Sequence, residues 1–361
     1  MKNIRIQTPA RICLFGDHQD YLELPVIACA IDRYIILSAE ENDSNKFHIK
    51  MPDINSERII GISETFETLE KEDYLASALK VLRRYDCIPN KGFTITLKSE
   101  IPINAGVSSS SAVVISWIHF LLAAYGSSKE ITSELIAKIA YEAEVLEHNS
   151  PGGKMDQFTI ALGNVIFIET CGEFSVRDVG TQMKGLILGE SGIPKETIGL
   201  LDDLRGKANK TIRYVQKQFP KFMLEETSEN EIDAYLPTVP KDLQAIFVAA
   251  IKNHIITQTA LLEFNKKTLD YVEIGRLMND HHKLLKNNLK ITVPKIDAMI
   301  AAALEAGAYG AKIIGSGGGG SIVALSPPSK EVDIANVIKN AGGKDAYPVN
   351  VSQGSQVILN V

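Results

Sequence analysis

The residues able to do chemistry gather in a few short stretches. Pro102-Ile103-Asn104-Ala105-Gly106-Val107-Ser108-Ser109-Ser110-Ser111 is a glycine- and serine-rich loop. Alternating Phe93, Ile95 and Leu97 before it read as a strand, and the apolar run Ala112 to Ala124 after it reads as a buried helix. A loop that opens a helix presents N–H groups without internal partners at the positive end of the dipole, which suits an anion, phosphate above all. A serine-capped helix would carry the same residues. No G-x-x-x-x-G-K-[ST] occurs, so this is not a Walker A loop.

Gly16-Asp17-His18-Gln19-Asp20-Tyr21 places two carboxylates, an imidazole and a phenol in one turn. Carboxylates that accept from two hydroxyls at once suit a polyol or sugar; a solvated polar turn is the plainer reading. Ser150-Pro151-Gly152-Gly153-Lys154-Met155-Asp156-Gln157 puts an acid in a loop beyond a helix end, where it would act as a base or cap the next helix. Of Glu142, Glu144 and Glu147 on the preceding helix, periodicity sets Glu144 at the flank of the apolar stripe and Glu147 nearer its face, and does not choose between them. Gly315-Ser316-Gly317-Gly318-Gly319-Gly320 is too glycine-dense for an element interior; it is either a site of close backbone approach or a mobile hairpin.

The elements that must position these groups follow from periodicity and turn residues. Ile4 to Thr8 and Ile12 to Phe15 are short strands broken by Pro9; Leu24 to Ile31 and Tyr34 to Ala39 resume, with Lys46 to Met51 pairing beside them. Tyr74 to Tyr85 and Ile131 to His148 read as helices, the latter stopped by Ser150-Pro151-Gly152-Gly153, and Asn164 to Glu169 as a strand. From Lys207 to Lys286 the pattern is mainly helical, and another helix runs from Pro294 to about Ala306. Strands at Ala311 to Ile314 and Ser321 to Leu325, a helix at Val332 to Asn340, and strands at Tyr347 to Val351 and Gln356 to Val361 close the chain. The composition shift near residue 180 and the length of 361 residues predict an α+β chain of two domains, an α+β N-terminal one, 1–185, and a mixed C-terminal one, 186–361.

A formal net charge of −6 argues against nucleic acid or an anionic membrane as the partner. Cys13, Cys29, Cys87 and Cys171 show no metal spacing, and no run reaches the ~18 apolar residues of a membrane span. With no signal-peptide pattern at the N-terminus, the expected location is cytoplasmic.

Taken in order, the stretches resemble the GHMP small-molecule kinases (galactokinase, homoserine kinase, mevalonate kinase and phosphomevalonate kinase). Arg11-Ile12-Cys13-Leu14-Phe15-Gly16-Asp17-His18-Gln19-Asp20-Tyr21 is similar to the first family motif, Pro102 to Ser111 to the second, and Gly310-Ala311-Lys312-Ile313-Ile314-Gly315-Ser316-Gly317-Gly318-Gly319-Gly320 to the third. Galactokinase is the most similar member, through R-x-N-L-I-G-E-H-T-D-Y and G-x-M-D-Q. The sequence departs from it at Asp17 for Glu, Gln19 for Thr, and Leu22-Glu23-Leu24 for N-G-G.

The resemblance implies a two-domain fold, an N-terminal domain like the second domain of ribosomal protein S5 and a ferredoxin-like C-terminal domain. It implies an ATP-dependent sugar kinase acting on an anomeric hydroxyl of galactose, another hexose, a pentose such as arabinose, or a uronic acid. ATP phosphates would lie on Asn104, Ala105, Gly106, Val107, Ser108, Ser109, Ser110 and Ser111, with Tyr74 near adenine. Gly315, Ser316, Gly317 and Gly318 would form the third-motif turn. By the same resemblance Ser110 and Glu144 hold Mg²⁺, with Ser109 as the alternative register. Asp17, His18, Asp20 and Tyr21 face the sugar, and Asp156 acts as base beside Arg11. The alternatives are a mevalonate-type kinase of a non-sugar alcohol and a binding-only sensor of ATP and sugar.

Overall fold

The computed structural model describes residues 2–170, 173–179, 183–195 and 198–361; Cys171 lies outside them. Eight strands form the first sheet: β1 (Asn3–Phe15), β2 (Val26–Asn42), β3 (Lys46–Met51), β4 (Ser56–Gly61), β5 (Gly92–Ser99), β6 (Val165–Glu169), β7 (Ser175–Asp178) and the last strand of the chain. β8 (Leu186–Glu190), β9 (Gly310–Ile314), β10 (Ser321–Leu325) and β11 (Asp345–Val349) form the second sheet, and β12 is the returning strand Gln356–Asn360. The helices are α1 (Tyr74–Leu82), α2 (Ser109–Tyr125), α3 (Ser133–Tyr141), α4 (Met155–Leu162), α5 (Ile198–Gln218), α6 (Ile232–Tyr235), α7 (Gln244–Phe264), α8 (Tyr271–Asn287), α9 (Pro294–Glu305) and α10 (Glu331–Asn340).

The first sheet runs β12-β1-β2-β5-β3-β4, with β6 and β7 continuing from β2. All its pairs are antiparallel except β3 with β5. Pro9 does not break β1 as the sequence suggests. The strand continues, and the β1–β2 register slips between Pro9 and Ala10, opposite Tyr34 and Ile31, so the bulge falls beside the residue that lacks a donor. β2 likewise runs unbroken through Asp32 and Arg33, because Asp32 bonds Asn350 from the far end of the chain. β3 pairs with β4 and β5 rather than with β2.

The second sheet has the order β11-β8-β10-β9, antiparallel throughout, with α9 between β8 and β9 and α10 between β10 and β11 in sequence. That is the ferredoxin-like βαββαβ arrangement. β1 to β7 precede the second sheet in the chain, and β12 returns from beyond it to pair with β1.

Packing explains why α2 is apolar on every side. It is sandwiched between the first sheet and the other helices, with Trp117 and Phe120 fully buried against Phe47 and Phe93. Each such side chain contributes roughly 1.5–3 kcal/mol by burial. Among the described residues the one helix of membrane-spanning length and apolarity is α7, and 56% of its apolar window is buried inside the fold.

The helix expected at Ile131 to His148 ends at Tyr141 and widens into a π turn, Glu142–Leu146, closed by Glu147 N–H to Glu142 O (3.0 Å). The extra residue rotates the positions that follow. Glu144 therefore turns inward and is buried, while Glu147 reaches out to Lys80 and Arg84. Asp156, expected in a loop, stands in the first turn of α4.

Candidate active site

Where the two sheets meet, the sequence motifs close on one another. Gly106 (φ +82°) and Gly315 (φ +78°) face each other so closely that a Cβ on Gly315 would lie 3.0 Å from the Gly106 carbonyl oxygen. Beside that contact is a cavity of about 170 Å³. It is lined by residues of the first motif (Arg11, Asp17, His18, Asp20, Tyr21), of the second (Ser110), of the third (Gly315, Ser316), and by Tyr74, Glu144, Asp156, Gln157 and Lys195.

Ser108 stands at the N-cap of α2 with an αL backbone (φ +59°), and its side chain does not cap the helix. The first intrahelical bond is Ala112 N–H to Ser108 O (3.0 Å), so the amides of Ser109, Ser110 and Ser111 precede it. Among the described residues no protein acceptor takes these amides. Instead of capping, the Ser108 hydroxyl donates to Asp156 Oδ2. The approach is rigid: Arg11 N–H donates to Val107 O (3.3 Å) and Arg11 Nη1 to Gly106 O (2.7 Å). Ala105 and Val107 are buried and Asn104 is exposed.

Arg11 Nε donates to Asp156 Oδ1 at 2.7 Å. Burial pushes the Asp156 carboxyl up, but the Arg11 guanidinium and the Ser108 hydroxyl outweigh it and hold the group below its ordinary value. Asp156 is therefore an ionised acceptor at neutral pH, with its side chain 27% exposed.

The first-motif acids differ in how they are used. Asp17 is fully engaged: Oδ2 takes Lys312 Nζ at 2.5 Å and Oδ1 takes Gly315 N–H at 3.0 Å. Lys312, with no exposed surface, also donates to Cys13 O (3.0 Å). His18 donates through Nε2 to Ser316 O (3.1 Å), since a carbonyl can only accept, which leaves Nδ1 to accept from the Tyr21 hydroxyl (3.3 Å). Burial lowers the His18 pKa, so the ring is neutral.

Asp20 accepts only from Tyr21 N–H, through Oδ1 at 3.0 Å, and its Oδ2 has no protein donor among the described residues. Gly153 permits this placement, because a Cβ there would fall on the Asp20 carboxylate. Burial, and then the nearby Asp156 charge, push Asp20 up to about 7.

Glu144 lies on the opposite wall. Its Oε1 accepts from Ser111 Oγ (2.9 Å) and more distantly from Ser110 Oγ (3.4 Å), and Oε2 accepts from Gln157 (2.7 Å). Burial raises its pKa to about 7 against those bonds. Ser110 is exposed to the cavity whereas Ser111 is 1% exposed, and Ser109 makes no bond to Glu144. Tyr74 sits beside the same wall, edge-on to His148, its phenol raised to about 12 by burial and the Glu144 charge. Gly317 and Gly318 follow in the turn, Gly318 N–H donating to Ile291 O (2.8 Å).

The motifs do not point to Lys195, to Gln157 as the partner of Glu144, or to Lys312 as the partner of Asp17. The only local signal for Lys195 is a lysine just beyond a strand, which is common on any surface. The arrangement can hold phosphates on free amides, place a hard cation between hydroxyl and carboxylate oxygens, and offer an ionised carboxylate to a hydroxyl. The donor set fits Mg²⁺, with phosphate and water oxygens completing the coordination. Among the described residues no group of three or more His, Cys, Asp or Glu side chains forms a protein-only metal site.

Comparison with known proteins gives the lineage. Residues 73–164 match the GHMP kinases N terminal domain, 260–344 the GHMP kinases C terminal domain, and 2–40 the galactokinase galactose-binding signature. The chain is 31% identical over 346 residues to a mevalonate kinase of Pyrococcus abyssi, covering 93% of this chain and 92% of that one. It is 26% identical to a galactokinase of Thermococcus kodakarensis, covering 98% of this chain and 100% of that one. In fold it is similar to Lactococcus lactis galactokinase complexed with galactose (TM-score 0.84, 21% identity, 98% and 95% of the two chains). It is also similar to Methanococcus jannaschii mevalonate kinase (TM-score 0.72, 22% identity, 97% and 98%).

Proposed function

The chain belongs to the GHMP kinases, and on that premise we propose that it is a sugar kinase that phosphorylates a sugar hydroxyl, the anomeric one. Family membership makes it a phosphotransferase with ATP as donor and an alcohol as acceptor. The sugar reading rests above all on one observation: in a cavity that the galactose-binding signature helps to line, Asp20 keeps a carboxylate oxygen free for a hydroxyl.

In this reading the free amides of Ser109 to Ser111 receive phosphate oxygens, and the loop from Asn104 positions them. Ser110 and Glu144 hold Mg²⁺, which when bound neutralises phosphate charge. Tyr74 flanks the nucleotide. Asp156 accepts the proton of the attacking hydroxyl as the phosphoryl group arrives, while Arg11 fixes its orientation and charge. Asp20 orients the acceptor, and Asp17 and His18 act from behind it by securing the third-motif turn.

A mevalonate-type acceptor is the second reading, supported by archaeal mevalonate kinases at similar identity. ADP release is measured with galactose, glucose, arabinose, galacturonate, mevalonate and homoserine. Turnover with a sugar is expected, and any turnover excludes a binding-only sensor. Response to mevalonate or homoserine alone overturns the sugar reading.

A further inference from the structure

We infer that Lys195 contacts the phosphoryl group in transit and is a catalytic residue of this kinase. The inference rests on the nucleotide placement proposed above and adds a residue to it. Three long cationic side chains converge on or just behind the cavity, and two already have counter-charges. Arg11 is bound to Asp156 and Gly106 O, and Lys312 to Asp17 and Cys13 O.

Lys195 differs. Half-buried, it lines the cavity together with Arg11, Ser110, Glu144 and Asp156, yet among the described residues its ammonium has no hydrogen-bond or ion-pair partner. Burial and the Arg11 charge lower its pKa, while Asp156 and Glu144 act through space to keep it charged. A partly desolvated ammonium whose three donors have no direct acceptor is unfavourable unless a ligand brings one.

Its backbone is fixed by the parts of the protein proposed to carry phosphate. Lys195 N–H donates to Asn104 O in the second-motif loop (3.2 Å). Just before it, Ile193 O accepts from Gly320 N–H (2.8 Å), and the Ser191 hydroxyl donates to Gly320 O (2.6 Å) in the third-motif turn. The stem therefore starts from a point strapped to both loops and leads into the space between the candidate metal carboxylate and the candidate base. A phosphoryl group moving from nucleotide to acceptor crosses that space. An ammonium there matches the charge on its equatorial oxygens, and its three donors need no fixed plane.

The test is equilibrium binding of ADP and of the β,γ-imido analogue of ATP, each with Mg²⁺, to the full chain and to Lys195→Gln, Lys195→Met and Lys195→Arg. Both neutral variants should lose about 10–100-fold in affinity for the imido analogue and less than about threefold for ADP, with Lys195→Arg recovering part of the loss. Equal losses for both nucleotides, or no loss for either, would show that Lys195 does not touch the terminal phosphoryl group. Failure of the unsubstituted protein to bind ADP would instead overturn the nucleotide placement itself, and this inference with it.

Discussion

Two buried ion pairs join distant parts of this chain, and they are built for different work. Asp17 and Lys312 meet at 2.5 Å with side chains 2% and 0% exposed. Both oxygens of Asp17 have donors, and the imidazole of His281, stacked on Phe15, adjoins the pair with its pKa pushed down to about 3 by burial and then by the Lys312 charge. Arg11 and Asp156 meet at 2.7 Å, but only the guanidinium is shut away: the side chains are 4% and 27% exposed. An ionised carboxylate has about four lone-pair sites, so Asp156 can serve Arg11 and Ser108 and still meet a hydroxyl from the cavity. The enclosed pair can only hold the first motif against the third. The half-open pair can hold and also react.

The largest effect should come from the half-open pair. Asp156→Asn keeps the size and removes the charge, so single-turnover phosphorylation should slow by ~10²–10⁴-fold while both ligands still bind. Near-normal chemistry would remove Asp156 as the base. Next comes the enclosed pair. Lys312→Met leaves the Asp17 carboxylate buried beside an apolar stem, and urea unfolding should show a loss of ~3–5 kcal/mol. Adding Asp17→Asn should recover much of that loss; if the double variant is no more stable than Lys312→Met, the uncompensated charge was not the cause.

Asp20 sharpens the comparison because, among the described residues, its Oδ2 has no donor and its carboxylate has no ion-pair partner. Asp20→Ala should weaken acceptor use by about 10–100-fold, read as KM, and leave imido-analogue binding unchanged. A parallel loss in nucleotide affinity would move Asp20 out of the acceptor site.

The smallest effect is a pH dependence. With Glu144 raised to about 7, protons compete with cation below that pH. Apparent Mg²⁺ affinity should fall by up to ~10-fold per pH unit below 7 and be flat above it. Glu144→Gln should abolish the slope, and a slope that survives would assign the titration to another group such as Asp20.

Much of this is written locally. The alternation of Phe93, Ile95 and Leu97, the serine loop and the all-apolar run after it specify strand, loop and helix because each depends on neighbours a few residues apart. The glycine-dense third motif was legible as a place of close backbone approach, whereas the βαββαβ order of the second sheet came only from the family resemblance, because β8 (Leu186–Glu190) was not expected as a strand. Which polar group is free to act was not legible. Asp17 and Asp20 are alike in sequence, yet a lysine 295 residues away engages one and nothing comparable engages the other.

Glu144 rather than Glu147 faces the cavity because a π turn rotates the helix, a local irregularity that a 3.6-residue period cannot express. β1 runs through Pro9 because β2 carries the bulge opposite it, and β2 runs through Asp32 because Asn350 bonds that residue. Lys195 carries no motif and is placed beside the cavity by its own bond to the second-motif loop and by the bonds of Ser191 and Ile193 to the third-motif turn. The sequence by itself determined most of the elements and the types of group at the site, but not β4, β7 or β8, nor the continuity of β1 and β2. Only the tertiary structure decided which charges are paired, because pairing and desolvation depend on contacts between residues far apart in the chain.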